Sequence, residues 1–325
     1  MMPYRDTILA WAEQGRLTPD QTPTALRLAG VLPTPSQWLR FLDRLLLWLS
    51  TVLLAAAVIF FFAYNWQALG RYAKFALVEV PLVVAVLLAW RFGLERAAGK
   101  AALVAAALLV GALLALVGQT YQTGADTYEL FTTWALAILP WVLVGQLAAL
   151  WLFWIGLINL AMILYFHVFG RPLGSVIGTP QLLWWLFGLN TTVLALWETL
   201  ARRGIAWLNE RWALRVLATA CVACITVLMV WVIVDSRHIS MTPVYVYCVW
   251  IVVVYAVYRH YIRDLYVLAN SLLSGIVVVT CLLSRVLFES LHADAGAFLL
   301  IGLVVIGLSA AGGWWLKTIA QEEQS

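Results

Sequence analysis

AALVAAALLVGALLALVGQTYQTGAD, residues Ala101 to Asp126, decides the fold. Its first seventeen residues, Ala101 to Val117, hold no charge and no polar side chain. As a helix they rise about 26 Å at 1.5 Å per residue, close to the roughly 30 Å hydrocarbon layer of a bilayer. Gly118 to Asp126 then turns polar and is bounded by glycines. Leu130 to Leu143 is apolar again, with Pro140-Trp141 inside. Two lipid-crossing runs joined by a short polar turn are the unit from which the rest of the chain is read.

The composition agrees. Of 325 residues, 64% are hydrophobic and 11% are charged, against about 25% charged in soluble domains. A soluble fold of this size has no core large enough for so much apolar surface, so the bilayer is the first partner. The net charge of +4 is carried in short basic clusters without an arginine-rich stripe, which argues against nucleic acid. The 18 tryptophans suit the two membrane–water interfaces. Cys221, Cys224, Cys248 and Cys281 all lie in apolar runs. Cys221 and Cys224 have CxxC spacing but no second pair and no nearby histidine, so they read as buried small residues. No metal site and no cofactor is expected. No HExxH, phosphate-binding loop or nucleophile elbow is present.

The expected fold is an all-α polytopic transmembrane bundle of about ten spans with a small N-terminal cytoplasmic helical cap. The cap is residues 1–44, in which no cleavable leader is expected. It holds a short helix from Tyr4 to Gln14 with Gly15 past its end, and a second helix entered through Thr18-Pro-Asp-Gln21, a capping box. Ser36 opens an amphipathic lead-in, Trp38 to Arg44.

The spans are Leu45–Tyr64, Tyr72–Trp90, Ala101–Gly118, Leu130–Val144, Ala148–Val168, Gln181–Trp197, Leu214–Val234, Pro243–Tyr258, Leu265–Phe288 and Ala297–Leu316. Residues 45–169 form a first five-span region, 170–318 a second, and 319–325 a cytoplasmic tail. Fusion of the fourth and fifth spans at Gly145-Gln146 would leave nine. With the N-terminus inside, only Arg71, Lys74, Arg171, Arg237 and Arg285 of the 20 Lys and Arg fall outside. That excess obeys the positive-inside rule and puts both termini in the cytoplasm. Thr199 to Trp212 reads as an interfacial amphipathic helix. Gly111, Gly275, Gly302 and Gly307 are expected to let helices approach closely.

This threading places two polar segments on the outer side. One offers Asn65, Gln67, Arg71 and Lys74; the other offers Gln119, Tyr121, Gln122, Asp126 and Glu129. Amides and aromatic rings of this kind suit a small polar solute or a lipid headgroup. Glu79 lies about 10 Å down the second span, two residues before Pro81. An acid at that depth is costly and is a functional candidate by default. Asn159, Asn190 and Asn270 read as packing amides between helices, and His167 as an interfacial residue.

Phe60-Phe-Phe-Ala-Tyr-Asn-Trp66, Lys74-Phe75 with Glu79, Gly118 to Asp126, Leu130-Phe131, Trp134-Ala135 and Leu139-Pro-Trp141 together resemble an uncharacterised bacterial family of integral membrane proteins, domain of unknown function 2157. The resemblance covers about Met1 to Phe169. It implies the inner membrane of a Gram-negative cell and allows a second membrane protein as partner. It implies no activity or catalytic residue.

The leading expectation is transporter-like binding of a small polar or headgroup solute from the periplasmic side. The alternative is a non-catalytic scaffold or assembly subunit of an envelope complex, recruiting through the cap. A membrane enzyme on lipid-linked substrates would rest on Asp126 and Glu129 alone. Cysteine substitutions at Gln122 and at Gly204 test the threading. A membrane-impermeant maleimide added to intact spheroplasts should label the first and spare the second, and the reverse pattern would invert the topology.

Overall fold

The computed structural model describes residues 3–65, 70–169, 180–234, 241–290 and 295–322. Among them are twelve α-helices and no strand. They are α1 (Pro3–Glu13), α2 (Thr22–Leu28), α3 (Pro35–Asn65), α4 (Arg71–Phe92), α5 (Ala97–Tyr121), α6 (Thr127–Gly145), α7 (Ala148–Phe169), α8 (Pro180–Arg202), α9 (Arg211–Val234), α10 (Thr242–Ala256), α11 (Leu265–Ser290) and α12 (Ala295–Glu322). A π-helical turn, Val257–Tyr261, continues α10. Nine helices among the described residues are long and apolar enough to cross a membrane. The chain divides into two compact units, the first ending at Gly124 and the second beginning at Ala125.

In the first unit α1 and α2 pack on one another. Gly15, at φ +71°, stands just past α1, where a left-handed residue closes a helix. The expected box at Thr18 is half made: the Gln21 side chain accepts from the Thr18 N–H at 3.2 Å. A second box of the same T-P-x-Q form was not expected. Thr34 N–H donates to Gln37 Oε1 at 2.9 Å, and Gln37 N–H donates to Thr34 Oγ1 at 3.4 Å. With its N-terminal amides satisfied, α3 runs unbroken through the amphipathic lead-in and the first span. Its 31 residues reach about 46 Å.

Helices α3 and α4 both pack on α5, whose buried face is rich in alanine. Gly99 sets the α4–α5 turn. A Cβ there would lie 2.0 Å from the Gly93 carbonyl oxygen, so no larger residue fits. Helix α4 continues through Pro81, which leaves the Leu77 carbonyl without its helical donor.

The second unit is built around α9. Its stripe Leu214, Leu217, Cys221, Ile225 and Leu228 is buried at helical spacing and packs against α8, α10 and α11. Polar side chains on α9 meet α11 in a ladder. Arg215 Nε donates to Asp264 Oδ2 at 3.3 Å just before α11 begins, and Thr219 Oγ1 meets Tyr266 Oη at 3.1 Å. Further along, Thr226 Oγ1 meets Ser274 Oγ at 2.6 Å, and Arg285 donates to the Ile233 carbonyl. Residue numbers rise together along the rungs, so the two helices are parallel. Asn270 joins the ladder through Thr219, as a packing amide should.

Asn159 on α7 and Asn190 on α8 form a reciprocal amide pair. Asn190 Nδ2 donates to Asn159 Oδ1 at 2.7 Å, and the return bond is 3.3 Å. Each amide also donates to a carbonyl four residues back in its own helix. Trp154 Nε1 donates to the Ala135 carbonyl at 2.9 Å and ties α7 to α6.

The fourth and fifth spans are separate helices, as expected, because Gln146 at φ +44° takes the left-handed conformation that ends α6. Other expectations change. Thr199 to Trp212 is not one interfacial helix. Helix α8 extends to Arg202, Gly204 at φ +89° breaks it, and a 3-10 turn, Ala206–Asn209, buries Leu208 under Trp197. Gly275, Gly302 and Gly307 face open space, whereas Gly99 and Gly312 sit in close contacts. Among the described residues the one long helix outside the nine apolar ones is α8, which carries Asn190, Thr191, Thr192, Glu198 and Arg202.

The amide pair has a measurable worth. Asn159→Leu and Asn190→Leu should each destabilise the folded protein in micelles, and the double variant should lose less than their sum. A coupling of roughly 1 kcal/mol is expected from unfolding curves, and strict additivity would show that the pair contributes nothing.

Candidate functional site

The chemistry of a helix end is set by which residues share a face. Arg71 stands seven residues before Val78, two helical turns along the same face of α4. Val78 is 1% exposed and packs with Leu116 of α5. Arg71 is therefore aimed at the end of α5. Its guanidinium donates to Tyr121 Oη at 2.6 Å, and its carbon lies 4.7 Å from the centre of the Tyr121 ring. Phe75, one turn further along α4, meets that ring at 6.2 Å, tilted by 56°. A cluster of Val58, Phe75, Ala112 and Leu113 around Val78 and Leu116 forms the floor below.

Arginine carries five donors in a planar fork. The bond to Tyr121 takes one, and the side chain is exposed. The pair can present the remaining donors to an anionic or strongly polar group. Gln119 and Gln122 are exposed on the same end of α5. Gln122 closes that helix in the left-handed conformation at φ +45°, its N–H bonded to the Gly118 carbonyl. Lys74 is half-buried one turn after Arg71. Glu79 is exposed on α4, about 100° round the helix from Val78. Among the described residues it makes no hydrogen bond or ion pair.

The structure thus brings Arg71 to Tyr121 and leaves Glu79 on a different face of α4. Asn65 is the last residue of α3, and Gln67 lies outside the described residues. Asp126 and Glu129 belong to the second unit. There Asp126 takes the N-cap position of α6 without a side-chain capping bond, and Glu129 lies in the first turn, where a carboxylate favours the helix dipole. Glu129 accepts from Tyr128 Oη at 3.3 Å. Tyr128 packs edge-on to Tyr165 at 5.2 Å and to Phe169 at 5.7 Å. The glycine-bounded motif is in these terms a helix-ending and helix-starting device as well as a polar surface.

Sequence reasoning missed the acids with the least exposure. Glu198 is 8% exposed and accepts from Arg211 at 3.2 Å and from Tyr258 Oη at 3.1 Å. Asp264 is 5% exposed; it pairs with Arg215 and accepts the Tyr266 N–H at 3.0 Å. Asp264 was findable, because an aspartate just before an apolar run is an N-cap signal. Both pairs lie at helix ends beside tryptophan and tyrosine rings. Trp151 stacks on Trp207 at 5.8 Å, and Trp207 meets Trp197 edge-on at 5.9 Å. These groups satisfy one another and tie the helix ends together.

Cys221 is buried, and the four thiols are free. Among the described residues no group of three or more His, Cys, Asp or Glu is placed to hold a metal ion.

Long apolar helices, satisfied interior amides and aromatic rings at helix ends define a multi-pass integral membrane protein of the helical-bundle class. Residues 9–151 match the model of a family described as "Predicted membrane protein (DUF2157)", so over its N-terminal half the chain is similar to that family. No curated protein and no solved structure matches it.

Proposed function

We propose that the protein is a transporter-like component of the bacterial inner membrane that binds a small polar solute or a lipid headgroup at the periplasmic end of its first unit. The observation that carries this reading is the exposed Arg71 guanidinium, held by Tyr121 with donors to spare. Glu79, two turns along α4 and two residues before Pro81, supplies a binding or proton-coupling carboxylate in this reading. Gln119, Gln122 and Lys74 add polar contacts at the same end.

The orientation rests on the distribution of Lys and Arg, read with α8 as a tenth crossing. Helix α8 has 23 residues, about 34 Å. From Leu182 to Glu198 it buries a face against its neighbours, and Asn190 on that face is bonded to α7. Ten crossings keep both termini in the cytoplasm.

A second reading, an assembly subunit, is favoured by a separate observation. The segment preceding α3 exposes Trp11, Leu28 and Leu32, and Trp38 is exposed at the start of α3. Such a surface suits a second membrane protein as partner.

Glu79→Gln and Arg71→Gln should each cut transport tenfold or more, or fail to complement a deletion strain, while inserting normally; about 1.4 kcal/mol of lost interaction suffices for tenfold. Tyr121→Phe, which keeps the ring and loses the Oη bond, should have an intermediate effect. Wild-type behaviour of Glu79→Gln and Arg71→Gln would discard the transporter reading. Loss of a co-purified protein on deletion of residues 3–33 alone would favour the scaffold.

A further inference from the structure

The second unit contains a groove that its own polar groups do not explain. It lies between α10, α11 and α12 and encloses about 470 Å³. Tyr247, Ile251, Gly275, Ile276, Leu308 and Trp315 line it. At one end α10 and α12 are bridged twice. Tyr255 stacks on Trp315 at 6.0 Å and 29°, and Arg259 pairs with Glu322. At Gly312, α12 presses on α11, where a Cβ would lie 2.3 Å from Leu272 Cδ2. Helix α12 is thus held against α11 and clipped to the end of α10, and the space below the clip stays open.

Three hydroxyls line that space, and each has a partner; that of Tyr255 is Arg259, at the clipped end. Ser271 Oγ is bonded to the Val267 carbonyl at 2.9 Å, and Tyr247 Oη to Ser274 Oγ at 3.0 Å. Ordered water needs two to four polar partners, so the groove does not suit it. Its occupant is apolar, and all three helices are of membrane-crossing length and apolarity. From Leu268 to Val279 the groove follows about 16 Å of α11. It is open on one side, and its roughly 470 Å³ gives room for a single hydrocarbon chain laid along the three helices. The basic residues at one end favour a lipid over a partner helix.

We infer that this groove is a binding site for one acyl chain of a membrane phospholipid, with the lipid phosphate at the clipped end. That end is where His260 and Arg263 are exposed beside the Arg259–Glu322 pair. Basic residues at a membrane interface attract anionic headgroups. The site lies wholly in the second unit and does not rest on the function proposed for the first.

The test uses the full chain in nanodiscs containing phosphatidylglycerol with a diazirine in its acyl chain. After irradiation, adducts should concentrate on residues 247–255 of α10 and 308–315 of α12. Gly275→Leu projects into open space and fills the groove; Cys248→Phe fills it from α10. Each should cut labelling of those segments about tenfold, since the added side chain displaces buried methylenes of the lipid. Gly302→Leu, on α12 outside the groove and also facing open space, should leave it unchanged. If Gly275→Leu does not fold, Cys248→Phe decides. Adducts spread evenly over all apolar helices, labelling unchanged in the filled variants, or cross-linking of a co-purified protein helix at the groove would each overturn the assignment.

Discussion

In hydrocarbon an amide that has lost its partner finds no water to replace it, and each such loss costs several kcal/mol. That constraint organises the molecule. It makes every long apolar run a helix, and it concentrates specificity where a helix begins, ends or meets a polar neighbour. The chain breaks its helices with left-handed residues, at Gln122, Gln146 and Gly204. It starts α3 with a reciprocal side-chain box at Thr34 and Gln37. Inside the bundle the same rule pairs Asn159 with Asn190 and Thr226 with Ser274. Near the helix ends it pairs Glu198 with Arg211 and Asp264 with Arg215.

Fold class was legible because helical hydropathy in a bilayer is a length rule that needs no tertiary knowledge. Leu214 to Val234 and Ala148 to Val168 reappear as α9 and α7 with ends shifted by only a few residues. Boundaries failed where the cause was local polar chemistry. The lead-in before Leu45 looked separate because its charges interrupt the apolar run, yet the Thr34 box carries one helix through both. The stretch around Trp207 looked amphipathic, and Gly204 was given too little weight as a breaker. Glycines at 275, 302 and 307 looked like contact points, but small size permits close approach without requiring it.

The candidate site was legible in part. Tyr121, Gln119 and Gln122 were picked from their polarity between apolar runs, and they do end α5 together. Arg71 was read as a loop cation, although its seven-residue spacing to Val78 would have placed it on the α5-facing side. Glu79 was ranked by depth alone; depth says nothing about which face of α4 it occupies. The pairings of Glu198 and Asp264 escaped because their partners are 13 and 49 residues away, although the N-cap position of Asp264 carried a local signal.

The parallel ladder between α9 and α11 bears on how the protein is made. Its rungs join residues roughly 50 positions apart, from Arg215 with Asp264 to Ile233 with Arg285. At about 5–20 residues per second of synthesis, α9 emerges from the ribosome some seconds before the helix that completes its hydrogen bonds. During that interval Thr219 and Thr226 are held by carbonyls of their own helix, whereas Arg215 still lacks Asp264. The late arrival of α11 therefore makes assembly of this unit a timed event, with release of α9 into lipid coupled to translation of a segment two helices downstream.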